Sequence, residues 1–140
     1  MIRPATLDDI PAMVAMGKRF TDKAGFADHV GYDEESVEAL LTGLIESDKG
    51  VCLVGPECMA AALVFPHPYN QAHKTAQELF WWSEGLQGLR LFDALERAVR
   101  AKGAHSLIMI TVEAINPDKT GQFYQRKGYR PAERSFMKVF

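Results

Sequence analysis

Cysteine is scarce: the 140 residues hold two, too few for a disulfide framework. Cys52 and Cys58 flank a predicted turn at Gly55-Pro56-Glu57, where a bridge is conceivable, but intracellular thiols are normally kept reduced and both read as small packing residues. Long apolar runs are missing as well. The opening MIRPATLDD has no apolar core of signal-peptide length and no later stretch suits a bilayer, so a cytoplasmic protein without membrane contact is expected. Charge of one sign is not in excess. Sixteen basic and eighteen acidic side chains leave a formal net charge of -2, and no global field draws the chain to nucleic acid. His29, His67, His73 and His105 are scattered without metal-ligand spacing, and no histidine pair completes a zinc set with the cysteines, so no metal is expected. Repeats, low-complexity tracts and Ser-rich linkers are also absent.

What is present is a 47% hydrophobic chain of a length suited to one domain over residues 1–140. Ile2-Arg3 reads as a short strand. Thr6 then offers an N-cap, and Leu7, Ile10, Val14, Gly17 and Phe20 recur at helical spacing up to Thr21-Lys23. A loop over 24–32 leads to Asp33, which caps a second helix with the stripe Val37, Leu40, Leu41, Leu44 and Ile45. The runs 51–54 and 59–65, joined by Gly55-Pro56-Glu57-Cys58, read as an antiparallel hairpin.

Pro66-His67-Pro68-Tyr69-Asn70 should break the second of these strands into a loop, with a new strand from Thr75 to Trp82. The two-residue period places Glu78, Phe80 and Trp82 of that strand on one face, and Trp81 on the other. After a short link, Leu91, Phe92, Leu95 and Val99 mark a helix that stops at Lys102-Gly103. The apolar run within 106–113 then predicts a buried strand parallel to the Thr75 strand, because a helix joins them. A turn at Asn116-Pro117-Asp118, a short helix through Phe123 and Tyr124, and a closing pair of strands over 129–134 and 135–140 complete the reading.

Phe123-Tyr124-Gln125-Arg126-Lys127-Gly128-Tyr129 resembles the late F-Y-x-x-x-G-F signature of the GNAT acetyltransferase superfamily, and the order of elements matches that superfamily along nearly the whole chain. His67-Pro68-Tyr69-Asn70 followed by Glu78-Leu79-Phe80-Trp81-Trp82 looks like a small phage-related subgroup. The resemblance implies an α/β fold with a mixed central sheet flanked by helices, and acetyl-CoA as cosubstrate. The partner would be a small-molecule or protein amine, and homodimers, common in the family, would form through edge strands or aromatic segments. The family carries Q/R-x-x-G-x-G/A before its third main helix; here the segment is Ser83-Glu84-Gly85-Leu86-Gln87-Gly88, and only the last glycine matches cleanly.

Acetyl transfer sets requirements that name candidates. An alkylammonium with a pKa of about 10 must lose a proton before it attacks, and Glu78, on the strand that should line the cleft, is the first candidate base. Glu113 is the second. An ordinary ion-paired glutamate is the commoner role for both. By family analogy a backbone N–H near Phe80, Trp81 or Trp82 faces the thioester oxygen, Tyr124 gives a proton or hydrogen bond to the departing thiolate, and Asn116 lies near the pantetheine. Trp81 and Trp82 could instead wall an acceptor pocket or fill the core. His67, Tyr69 and Asn70 could border the acceptor site. The pyrophosphate needs backbone donors without obstructing β-carbons, which Gly85, Gly88, Leu89 and Arg90 could supply, while Glu84 would oppose an anion. Two readings stand: an N-acetyltransferase, or an inactive binding module with a degenerate CoA loop.

Overall fold

The computed structural model describes all 140 residues. Thr6 starts the first helical segment through a capping box with Asp9, whose carboxylate accepts from the Thr6 N–H at 2.8 Å. One 3-10 turn later α1 runs over Ile10–Ala24, and it stops where Gly25 adopts a φ of 80° that a β-carbon would resist. Asp33 caps α2, Glu34–Glu46, by accepting from the Ser36 N–H at 3.0 Å. Two residues of the expected helix stripes face water instead: Leu7 and Leu40 are exposed. The first lies in the 3-10 turn, which shifts its direction relative to α1.

The strands are β1 Arg3–Pro4, β2 Gly50–Gly55, β3 Cys58–His67, β4 Asn70–Ser83 and β5 Ser106–Ile108. They form one sheet in the order β1-β2-β3-β4-β5, antiparallel except for the parallel β4–β5 pair. The β2–β3 turn is Pro56-Glu57, with Glu57 at a φ of 56°. Proline with its fixed φ followed by a positive φ is the pattern of a type II turn. The helix α3, Gly88–Ala101, crosses from β4 back to β5, and α4, Pro117–Arg126, follows.

The α1–α2 layer packs on one face of the sheet and α3 on the other. Met13, Val14, Leu41 and Leu44 meet Cys52, Val54, Met59 and Ala61, whereas Leu91, Leu95 and Val99 meet Val51, Leu53, Ala60, Ala62 and Ala76. The strand period of two sorts these sets. Ala60, Ala61 and Ala62 are fully buried, and their short side chains let both layers close on the centre of β3. Cys52 and Cys58 belong to opposite faces and are free thiols, so no bridge spans the turn.

Three sequence expectations need correction. The loop placed at 66–74 is a two-residue turn, Pro68-Tyr69, because β3 continues through Pro66 with a register shift beside it and β4 begins at Asn70. The strand expected over 106–113 ends at Ile108. No strand forms over 129–140, so the closing pair is absent and β5 is the last strand of the sheet.

Candidate active site

Ala61 pairs with Phe80 but Ala62 pairs with Glu78, which leaves Leu79 as an extra residue on β4. Such a bulge leaves its extra residue out of the ladder, bends the strand and reverses the side-chain parity beyond it. Glu78 therefore lies on the α3 side of the sheet together with Ala76 and Trp81, while Phe80 and Trp82 pack against the α1–α2 core. The expectation that Glu78, Phe80 and Trp82 share a face fails for this reason.

The β4–β5 ladder stops just before the bulge, at Gln77 and Ile108. Side chains take over its role. The Glu78 Oε2 accepts from the Ile110 N–H at 2.8 Å, and the Tyr124 hydroxyl donates to the Ile110 carbonyl at 2.8 Å. One peptide residue beyond β5 is thus held by the two side chains proposed for chemistry. Glu78 is only 6% exposed, and burial pushes its pKa up to about 7 against the opposing effect of the Ile110 N–H. Burial, then the nearby Glu78 and Tyr129, raise the Tyr124 phenol above its ordinary value. It stays protonated and acts as a donor.

Trp81 joins these groups to α3. Its indole N–H donates to the Gly88 carbonyl at 3.0 Å, its ring stacks on Phe123 at 5.8 Å, and it lies 5.4 Å from Phe92 and 6.0 Å from Tyr124. On the other face Trp82 meets Phe20 at 5.3 Å, with the Lys23 ammonium over its ring.

The 83–88 link is tied down by its own polar contacts. Glu84 N–H donates to the Glu57 carbonyl at 2.8 Å, and Ser83 Oγ donates to the Gly85 carbonyl at 3.1 Å. Gly85 lies so close to the β2–β3 turn that a β-carbon would sit 2.9 Å from Glu57 Oε2. The Glu84 side chain turns toward α1, where the Arg19 guanidinium holds it in two bonds of 2.7 and 2.9 Å and keeps its carboxyl below the ordinary value. Its charge is paired across the sheet from α3. Gly88 opens α3, Gln87 makes no side-chain cap, and no acid occupies the first turn. The Leu91 N–H donates to the Gln87 carbonyl at 2.8 Å, so the N–H groups of Gly88, Leu89 and Arg90 lie ahead of the helical ladder. Leu89 and Arg90 are exposed.

Other candidates lie apart from this group. Asn116 occupies the N-cap position of α4 with a φ of 39° and makes no side-chain cap bond, at the opposite end of that helix from Tyr124. Glu113 is exposed and 3.8 Å from Arg134. The turn after His67 is at the far end of β4, with Asn70 about 26 Å from Glu78 at the usual rise per residue. Arg19 and Ile110 were not legible as site residues. Arg19 is 65 positions from its partner, and Ile110 contributes only main-chain atoms. No three His, Cys, Asp or Glu side chains are arranged to hold a metal ion, and no helix is long and apolar enough to cross a membrane.

No family model matches the chain, and no curated protein matches its sequence. Solved structures do match its fold. A GCN5-related N-acetyltransferase from Ralstonia eutropha JMP134 superposes with a TM-score of 0.67 at 18% identity over 99% of this chain and 97% of its own. The chain has the GNAT acetyltransferase fold. Glucosamine-6-phosphate N-acetyltransferase from Arabidopsis thaliana matches over 100% of this chain and 97% of its own, with a TM-score of 0.67 and 16% identity. A Clostridium acetobutylicum protein solved as a "predicted acetyltransferase with acetyl-CoA" matches over 99% and 94%, with a TM-score of 0.75 and 14% identity. Within the GNAT fold, the β4 bulge, the start of α3 and Tyr124 of α4 converge on the end of the β4–β5 ladder.

Proposed function

We propose that the chain transfers an acetyl group from acetyl-CoA to a primary amine, borne by a small molecule or a protein, with Glu78 as general base. The buried Glu78 carboxylate at the end of the β4–β5 ladder carries this reading. Its pKa of about 7 suits a group that must accept a proton from an ammonium near neutral pH. The residues present fit the cosubstrate at its anionic end: the α3 N-terminus is uncapped, free of acids and opened by Gly88, and Glu84 is neutralised by Arg19. The N–H groups of Gly88, Leu89 and Arg90 would hold the pyrophosphate.

When bound, acetyl-CoA supplies an electrophilic thioester carbonyl and a thiolate leaving group. Glu78 takes the ammonium proton, directly or through water, so that the nitrogen lone pair becomes nucleophilic. Main-chain N–H groups freed around the Leu79 bulge, toward Phe80 and Trp81, would stabilise the developing oxyanion. Tyr124, held protonated, directs its hydroxyl as a hydrogen-bond donor toward the departing sulfur once it releases the Ile110 carbonyl.

One observation favours the second reading, a binding module on the same fold. Trp81, Phe92 and Phe123 pack together between α3 and α4, and cavities of about 320 and 350 Å³ lie elsewhere, the first lined by Met13 and Pro56, the second by Leu44 and Ala98. Calorimetric titration with acetyl-CoA and with CoA separates the two. Saturable binding that Gly88→Glu abolishes, followed by turnover on an amine panel that Glu78→Gln removes, is the expected result. Absence of heat and of any thermal shift with either ligand would reject the transferase and leave the module.

A further inference from the structure

We propose that the uncovered stretch of β2 is a docking groove for the carboxyl-terminal end of a partner protein, bound as a short extended strand with its carboxylate on Lys102. The stretch lies toward the β1 edge of the sheet, away from the β4–β5 pair that carries the candidate active site. There β1 covers only part of β2: Arg3 pairs with Val54 and Pro4 with Leu53. After Ala5 the chain turns into the capping box at Thr6, so no strand flanks residues 50–52 on that side.

The main chain of this stretch faces outward. The Val64 N–H donates to the Lys49 carbonyl at 2.8 Å, and along an antiparallel ladder residues bonded to one neighbour alternate with residues directed to the other. Gly50 and Cys52 therefore turn their N–H and C=O groups away from β3. On that side the Cys52 carbonyl accepts from the Ala5 N–H at 2.9 Å, whereas the Cys52 N–H and both groups of Gly50 take no main-chain partner although the two residues are buried. Such groups suit a ligand that donates and accepts in strand register.

Gly50 and Cys52 line a groove of about 350 Å³ whose walls are Leu44 and Ile45 of α2 and Ala98 and Ala101 of α3. That volume falls within the range of ordinary ligand sites, and residues 50–52 offer room for roughly three residues of an added strand, about 10 Å. Lys102 is the one charged residue of the groove, and no acid lines it. Its ammonium donates to the Asp48 carbonyl at 2.9 Å, which ties the end of α3 to the α2–β2 turn, and pairs with no carboxylate. Further N–H groups of that ammonium are left for an incoming anion.

These features together select the occupant. An apolar trough with a single cation favours an apolar ligand that ends in a carboxylate. A fatty acid would satisfy Lys102 but leave the Gly50 and Cys52 groups unpaired, whereas a peptide end brings amide groups and a carboxylate at once. Small apolar side chains fit between Leu44 and Ala98, and the groove opens on the surface, so the residues before the last three can leave it toward the body of the partner.

Amide NMR spectra of the isotope-labelled full chain, titrated with the peptide acetyl-Ser-Ala-Val-Ala-Val, test this. The free-acid peptide should bind saturably, shift the Gly50 and Cys52 N–H signals and slow their exchange with solvent. The same peptide capped as an amide should bind roughly tenfold more weakly, and so should the free acid on Lys102→Gln. Ala98→Phe fills the groove and should remove binding; should that variant fail to fold, the capped peptide and Lys102→Gln decide. Hexanoate should leave the exchange of the two N–H groups unchanged, and the same five residues at the end of a carrier protein should bind as the peptide does. The proposal is overturned by an absence of saturable shifts at millimolar peptide, by equal affinity for acid and amide, or by a carrier-borne end that does not bind. Signals of residues 50–52 that shift when the chain alone is diluted would overturn it too, because a second copy would then fill the groove.

Discussion

Replacing Glu78 with Gln should make the protein more stable in alkaline solution and, on the proposed mechanism, abolish turnover. Burial raises the Glu78 pKa from 4.5 to about 7, so the folded chain holds this proton more tightly than the unfolded chain does. The stabilising contribution is complete below pH 4.5 and is lost as pH rises through about 7. The interval corresponds to a loss of at most ~3 kcal/mol, at 1.36 kcal/mol per unit. The amide introduced by Glu78→Gln stays neutral, and its carbonyl can still accept from the Ile110 N–H at the place where Glu78 does at 2.8 Å. Urea unfolding at about pH 8.5 should therefore find the variant ~2–3 kcal/mol more stable, a gain in Tm of roughly 10 °C. At about pH 4 the two proteins should converge, because both side chains are then neutral in the folded and unfolded states. A pH profile for Glu78→Gln that runs parallel to the native one throughout would refute the assignment of a buried, proton-binding Glu78.

Three further outcomes follow from the contacts. Tyr124→Phe leaves the Ile110 carbonyl without its 2.8 Å donor, so urea unfolding should show a loss of about 1–2 kcal/mol, with turnover falling more than acetyl-CoA affinity. Arg19→Ala removes an exposed ion pair and should change stability by less than about 1 kcal/mol, yet it leaves the Glu84 charge unpaired in the link that leads to Gly88 and α3. Its Kd for acetyl-CoA in calorimetry should rise, and Arg19→Ala/Glu84→Gln should restore it. Gly17→Ala would bring a β-carbon within 2.7 Å of the Tyr32 hydroxyl, which donates to the Val14 carbonyl at 2.7 Å; displacing that bond should cost about 1–2 kcal/mol in thermal unfolding.

Much of the fold was legible because local chemistry and global packing agree. Asp33 and the stripe through Leu41 and Leu44 specify α2, Leu91, Leu95 and Val99 specify α3, and Gly103 at a φ of 86° ends the latter region. The Pro66–Asn70 segment misled because proline suggests a break, whereas a strand tolerates it where the register shifts. Tyr124 and Glu78 were named as candidates, and the fold places both on Ile110. Their separation of 46 positions carries no signal of that meeting.

From residue order alone came the four main helices, the β2–β3 hairpin, the parallel relation of β4 and β5 and the candidates for acid–base work, since these depend on side-chain chemistry and on periods of two or 3.6. Only the tertiary structure decided the Leu79 bulge, the pairing of Glu84 with Arg19 and the solvent-exposed tail. A one-residue slip in a ladder reverses every side chain beyond it, and an ion pair between distant residues depends on how layers stack; neither leaves a local trace in the chain.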